Sequence, residues 1–238
     1  MTFTRRTALA SAGVALGSLA GCLGGDSDTS SLDRYRTVGV DDQSVPLAPL
    51  AHVHEWYQSD EARIVDARSQ AAYAESHVEG AVWSPARHGQ AEDDPVAEWP
   101  TDTLIVTYCG CPHHLSAMRA AALIDAGYEN VAALDEGFWA WQDAGYPVAG
   151  GRPDYEPPLR VVEGRTDPTF AGELAWVRHE PSGQREVTPI ADDGTYALNV
   201  RFADVADDDP IRLTTPAYDL SASLGALASS VVGVDGRL

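Results

Sequence analysis

Four short apolar runs, at residues 62–66, 80–84, 103–108 and 130–134, alternate with segments of helical spacing. That alternation leaves few folds open. Strands separated by helix-length segments pair in parallel, and a parallel sheet is buried on both faces. The helical segments read as 47–57, 69–74, 115–126 and 138–144; in the first, Leu47, Leu50, Val53 and Trp56 share a face. Gly127 ends the third, and Gly145 with Pro147 ends the fourth. Past residue 158 the period changes to two. Tyr196, Leu198, Val200 and Phe202 alternate with Ala197, Asn199 and Arg201 after the turn signal Asp192-Asp193-Gly194. Residues 174–177 and 211–213 read as further short strands. The expectation is an α/β domain over 45–150, its parallel sheet covered by helices on both faces. A Gly- and Pro-rich linker over 151–157 follows, then a small all-β, sandwich-like domain over 158–238.

The most chemically loaded stretch lies between the third apolar run and the helix after it. It reads Tyr108-Cys109-Gly110-Cys111-Pro112-His113-His114-Leu115-Ser116. A cysteine where a buried strand meets a helix N-terminus faces unpaired backbone N–H groups and the positive end of the helix dipole. Such a thiol ionises more readily than a free one, and the thiolate is the nucleophile. Cys111 is open between three roles: accepting sulfur from Cys109, forming a disulfide with it, or shaping the loop. Two thiols and two imidazoles within six residues also match a soft-metal donor set. Consecutive imidazoles point apart, however, so no metal and no cofactor is expected. His113 and His114 are read as loop side chains, with an acid–base or substrate-orienting role open to one of them.

The N-terminus reads as a targeting segment over 1–21, followed by a flexible tether over 22–44. Arg5-Arg6 precede a short, weakly apolar stretch that ends in Leu19-Ala20-Gly21-Cys22. The whole resembles a twin-arginine export signal closing on a lipidated Cys22. It implies a protein held on the extracytoplasmic face of the cell membrane by that lipid. With Cys22 acylated, Cys109 and Cys111 are the cysteines left for chemistry.

The formal net charge is −20, and all 16 basic residues are Arg. Such a surface repels nucleic acid and anionic lipid, so neither is an expected partner. High salt screens that much self-repulsion, and a halophilic archaeal source is the expectation. No motif in residues 158–238 points to a protein partner.

Residues 45–150 resemble a rhodanese domain at five places in order. Asp66-Ala67-Arg68 matches the family's strand-end Asp-x-Arg. Ser76-His77-Val78-Glu79-Gly80-Ala81 matches its Gly-His-Ile-x-Gly-Ala turn, with Ser76 in place of Gly. Val106-Thr107-Tyr108-Cys109 matches the active-site strand, and residues 117–128 the helix after it. Leu134 through Gly137-Phe138-Trp139 to Pro147 matches the closing motif. The resemblance implies sulfur transfer: Cys109 takes a sulfane sulfur from thiosulfate or a persulfide and passes it to a thiol or cyanide. The loop Gly110, Pro112, His113, His114, Leu115 and Ser116 would cradle that small substrate.

This loop departs from the family's Cys-x-x-Gly-x-Arg-Ser. Seven positions separate Cys109 from Ser116, and Leu115 stands where the family has Arg. Phosphatases built on the same fold need that Arg to grip phosphate, so Leu115 argues against phosphatase chemistry. Arg119, one turn on, is the candidate to steer an anionic donor instead. Asp66 and Arg68 read as a structural pair, and His77 as closing a turn. The rival readings are a binding module on the same fold without turnover, and a Cys109/Cys111 dithiol redox protein.

Overall fold

The computed structural model describes residues 32–86 and 93–238. The expected targeting segment and Cys22 lie outside the described residues. The first unit runs β1 (Thr37–Val40), β2 (Gln43–Ala48), α1 (Leu50–Gln58), β3 (Arg63–Asp66), α2 (Gln70–Glu75), β4 (His77–Val78) and β5 (Val82–Trp83). It continues with β6 (Leu104–Tyr108), α3 (His114–Asp125), β7 (Asn130–Leu134), α4 (Gly137–Asp143) and β8 (Val148–Ala149). The main sheet has the order β1-β2-β7-β6-β3-β5. Its strands are parallel from β2 to β5, with β1 added antiparallel at the edge.

Residues of β6 alternate between two cores, as a strand covered on both faces requires. Val106 and Tyr108 pack with Trp56, Phe138 and Trp141 under α1 and α4. Ile105 packs with Ala117, Ala120 and Leu123 under α3. Each large side chain removed from water there contributes roughly 1.5–3 kcal/mol. β6 thereby becomes the rigid centre of the sheet, and whatever follows Tyr108 is aimed by it.

Three expectations are corrected. The helix read from Leu47 begins at Leu50, because Leu47 and Ala48 pair in parallel with Ala133 and Leu134 of β7. Pro49 separates strand from helix as the N-cap residue. The tether read over 22–44 is shorter, because β1 and the start of β2 occupy residues 37–44 and pair with each other. The sheet is therefore mixed rather than wholly parallel.

The second unit holds β9 (Arg160–Arg165), β10 (Leu174–His179), β11 (Gln184–Pro189), β12 (Thr195–Val200), β13 (Pro210–Thr214), β14 (Asp219–Ser223) and a short α5 (Leu224–Ser229). Its strands form a four-stranded sheet, β11-β10-β13-β14, and a pair, β12-β9. Both surround one core that includes Val162, Val177, Leu198, Val200, Ile211 and Leu213. The alternation read from Tyr196 to Val200 places Tyr196, Leu198 and Val200 in that core and leaves Ala197 and Asn199 exposed.

The stretch read as a linker is fastened at both ends. Arg152 pairs with Glu75 and reaches Asp204 at 2.6 Å, and Arg201 donates to the Pro157 carbonyl at 2.9 Å. β11 lies against the first unit: Val187 packs with Ala67, Ala86, Cys109, Cys111 and Leu115.

Candidate active site

The site is built upward from the end of β6. Asp66, at the end of β3, lies in register with Tyr108. Asp66 is 0% exposed and accepts from the Tyr108 hydroxyl at 2.7 Å and from Arg68 Nη2 at 2.7 Å. Arg68, 4% exposed, also donates to the Ser76 carbonyl at 2.5 Å and lies 4.1 Å over the Phe138 ring. Burial and the neighbouring Asp66 carboxylate push the Tyr108 phenol well above its ordinary range, so it remains a donor. The pair expected at the strand end is thus a three-membered network that locks the floor of the loop. Beside it, His77 Nδ1 lies 2.7 Å from the Tyr73 carbonyl and its ring stacks on Tyr73.

The loop is then forced into a tight path. Phe138 N–H donates to the Cys109 carbonyl at 2.8 Å, tying the loop to the start of α4. Gly137 precedes it with φ +81°, and a Cβ there would sit 2.7 Å from the Cys111 carbonyl oxygen. Only glycine fits that combination of left-handed backbone and close approach. His113 also takes a left-handed conformation, with φ +38°, and turns the chain into α3. Its Nδ1 lies 3.1 Å from the Asp135 carboxylate.

Cys109 is 0% exposed. As a thiol it donates to the Cys111 carbonyl at 3.1 Å, and its Sγ lies 3.5 Å from Ser116 Oγ. Burial alone would raise its pKa. Hydrogen bonds from the Cys111 side chain, the Ser116 hydroxyl and the backbone N–H groups of Ser116 and Leu115 outweigh that and bring it down to about 7. Those amides belong to the first turn of α3, where orphan donors and the dipole both favour an anion.

Cys111 behaves oppositely. Its thiol lies between Cys109 and Glu186 of β11, 3.2 Å from Glu186 Oε2. The hydrogen bond to Cys109, burial and the Glu186 charge push it well above the usual thiol range. One cysteine is therefore poised as thiolate and the other held as thiol. Both are reduced. Burial, and then His113, lower His114 to about 4, so it is neutral near pH 7; its Nδ1 lies 4.0 Å from Cys111 Sγ.

The structure brings Cys109, Gly110, Cys111, Leu115 and Ser116 together beneath the second unit, while Pro112 faces solvent. Leu115 is wholly buried in that cluster. Arg119 does not serve as the expected steering cation. It is buried, and its guanidinium is engaged by Asp94 at 2.6 Å. Glu186 was missed because the polar run Gln184-Arg185-Glu186 carries no strand signal and reads as solvated. Its burial arises only when β11 closes on the loop. Gly110 marks that closure, since a Cβ there would lie 3.1 Å from Glu186 Oε1 and 3.2 Å from Trp139 Nε1. Among the described residues, no group of three or more His, Cys, Asp or Glu side chains is arranged to hold a metal ion.

A family model for the rhodanese-like domain matches residues 50–144. The thiosulfate sulfurtransferase GlpE of Pseudomonas entomophila is 34% identical over 90 residues, 38% of this chain and 78% of that protein. The HTH-type transcriptional regulator Rv0324 of Mycobacterium tuberculosis is 35% identical over 117 residues, and the match spans 49% of each protein. Among solved structures, the rhodanese-like domain of the Anabaena protein Alr3790 aligns with TM-score 0.38 and 26% identity, over 44% of this chain and 79% of that one. The chain belongs to the rhodanese-like family.

Proposed function

We propose that this protein is a sulfurtransferase that carries a sulfane sulfur as a persulfide on Cys109. The observation that carries the reading is the Cys109 sulfur, held at the end of β6 by two main-chain amides and the Ser116 hydroxyl. With thiosulfate as donor, the Cys109 thiolate attacks the outer sulfur. The new Sγ–S bond forms as the donor's S–S bond breaks, and sulfite leaves with the electron pair. A thiol or cyanide then takes the sulfur and returns Cys109 to thiolate. The amides that hold the thiolate also hold the persulfide anion. Because Cys109 is fully buried, loading requires the loop and the second unit to part. That second unit, two sheets around one core, is read as a small sandwich.

The test is mass spectrometry of the protein after thiosulfate treatment. One added sulfur on Cys109 is expected. Loss of a hydrogen pair instead would indicate a Cys109–Cys111 disulfide and favour the dithiol reading. Loading also has a pH signature. A pKa brought down to about 7 means that the thiolate fraction, and with it the loading rate, rises through pH 7 and levels off above it. A free thiol would give the same rise near pH 8.5. Rates following the free-thiol curve would remove the amide cradle from the account.

We also infer that the protein acts on the extracytoplasmic face of the membrane, anchored through Cys22. Support comes from the sequence Arg5-Arg6 followed by Leu19-Ala20-Gly21-Cys22. Among the described residues, no helix is long and apolar enough to cross a membrane. Cys22→Ser is expected to move the protein from the membrane pellet to the soluble fraction. An unchanged pellet fraction would rule out the lipid anchor.

A further inference from the structure

The second unit places a carboxyl group inside the sulfur site. Glu186 is 6% exposed. Its Oε2 accepts from the Cys111 thiol, and its Oε1 lies against Gly110. A thiol is a weak donor. Burying a carboxylate against one is an expensive way to fasten two units together, because an apolar side chain would pack there without the desolvation penalty. The space beside it is also small. The void lined by Arg68, Gly110, Trp139, Glu186 and Arg201 measures about 10 Å³, room for roughly one water. Cys109 is 0% exposed, whereas Cys111 is 9% exposed and lies nearer the surface. His114, whose Nδ1 lies 4.0 Å from the Cys111 sulfur, also lines a groove of about 310 Å³ with His113, Met118, Leu174 and Val187.

We propose that Cys111 is a second sulfur carrier, and that Glu186 of the second unit is the catalytic base that removes its proton as the sulfur moves from Cys109. The step balances without any added oxidant. The Cys109 persulfide, formed as an anion, first takes a proton from water onto its outer sulfur, and the Cys111 sulfur then attacks that outer sulfur. The Cys111 Sγ–S bond forms as the Cys109 Sγ–S bond breaks. The Cys111 proton passes to the Glu186 carboxylate, and the electron pair stays on Cys109 as thiolate. The sulfur then sits on the more exposed of the two cysteines, where an outside thiol can collect it. The charged and titratable groups around Glu186 are Cys109 and Cys111 of the loop, Arg68 after β3, Arg185 on its own strand, and Arg201, which lines the same void. Burial first, then the Cys109 charge, raise Glu186 to about 8 against the pull of Cys111, Arg68 and Arg185. The carboxylate form, and the internal transfer, should therefore increase as pH rises through 8.

The proposal rests on the persulfide reading of Cys109, and the test separates the two. The full chain is treated briefly with thiosulfate, alkylated at timed intervals, digested, and sequenced by fragment ions that part Cys109 from Cys111. In the wild type, sulfur is expected on Cys109 first and on Cys111 later. In Glu186→Gln, sulfur should still appear on Cys109, while its later appearance on Cys111, measured relative to that loading, slows about 100-fold and loses its rise through pH 8. Glu186→Asp should restore part of the rate and the pH dependence. The wild-type time course needs no variant, so a folding defect in Glu186→Gln leaves the relay open to refutation. Loading of Cys109 with no sulfur ever reaching Cys111 overturns the relay alone. Transfer in Glu186→Gln at the wild-type rate and pH profile overturns the role of Glu186. No sulfur on Cys109 overturns the sulfurtransferase reading and the relay together.

Discussion

Cys109→Ser is expected to reduce thiocyanate formation from thiosulfate and cyanide to the uncatalysed background, a loss of at least about 1000-fold. The reason is the chemistry of one atom. A serine hydroxyl ionises far above neutral pH, and the Leu115 and Ser116 amides cannot lower it enough to make an alkoxide. An oxygen nucleophile would also form a weak S–O bond in place of the S–S bond that stores the transferable sulfur. The protein should fold unchanged, because Cys109 and serine differ little in size. Thermal unfolding of the variant within a few degrees of wild type would establish that. The comparison with Cys111→Ser gives the measurement its meaning. That variant should still accept sulfur on Cys109, because the main-chain amides and Ser116 remain. Turnover persisting in Cys109→Ser but vanishing, with all loading, in Cys111→Ser would place the nucleophile at Cys111.

The second large effect is on stability. Asp66→Ala leaves the Arg68 guanidinium buried without its carboxylate. The Tyr108 hydroxyl also loses the partner 2.7 Å away. Removing one member of a buried ion pair costs about 3–5 kcal/mol, because the other charge is stranded in low dielectric. Whole domains are stable by only about 5–15 kcal/mol. For a chain of this size the expected drop in Tm is about 10 °C. The double variant Asp66→Asn/Arg68→Met should lose much less than the sum of its single changes, since it removes both charges and fills the space. Equal losses for single and double variants would show that the network contributes packing rather than electrostatics. Sulfur loading should fall in Asp66→Ala even in the fraction that remains folded, because Asp66, Arg68 and Tyr108 form the floor beneath Cys109.

The order of strands and helices from residue 62 to 144 was legible because it rests on local signals. Apolar runs such as 103–108, helix stops such as Gly127, and the five motifs of the family all lie within short windows of sequence. Cys109 was legible for the same reason, since its neighbours in the chain are its neighbours in the site. Leu47 was misread because it sits on a plausible helical face with Leu50 and Val53. Its pairing with Ala133 is a contact across more than eighty positions, invisible to periodicity. Arg119 was misread because its distance from the cysteine in sequence suggested the site, while Asp94 captures it in space.

By itself, then, the sequence determined the α/β succession, the family, and the cysteine at the end of β6. Each of these depends on spacing along a strand or a helix turn. Tertiary structure alone decided that Cys111 stays a thiol, that Glu186 is buried, and that the second unit closes over the loop. The protonation of a thiol or carboxyl follows from the dielectric and the charges within a few ångströms. Those surroundings came from a strand some seventy residues away, carried there by the packing of two cores.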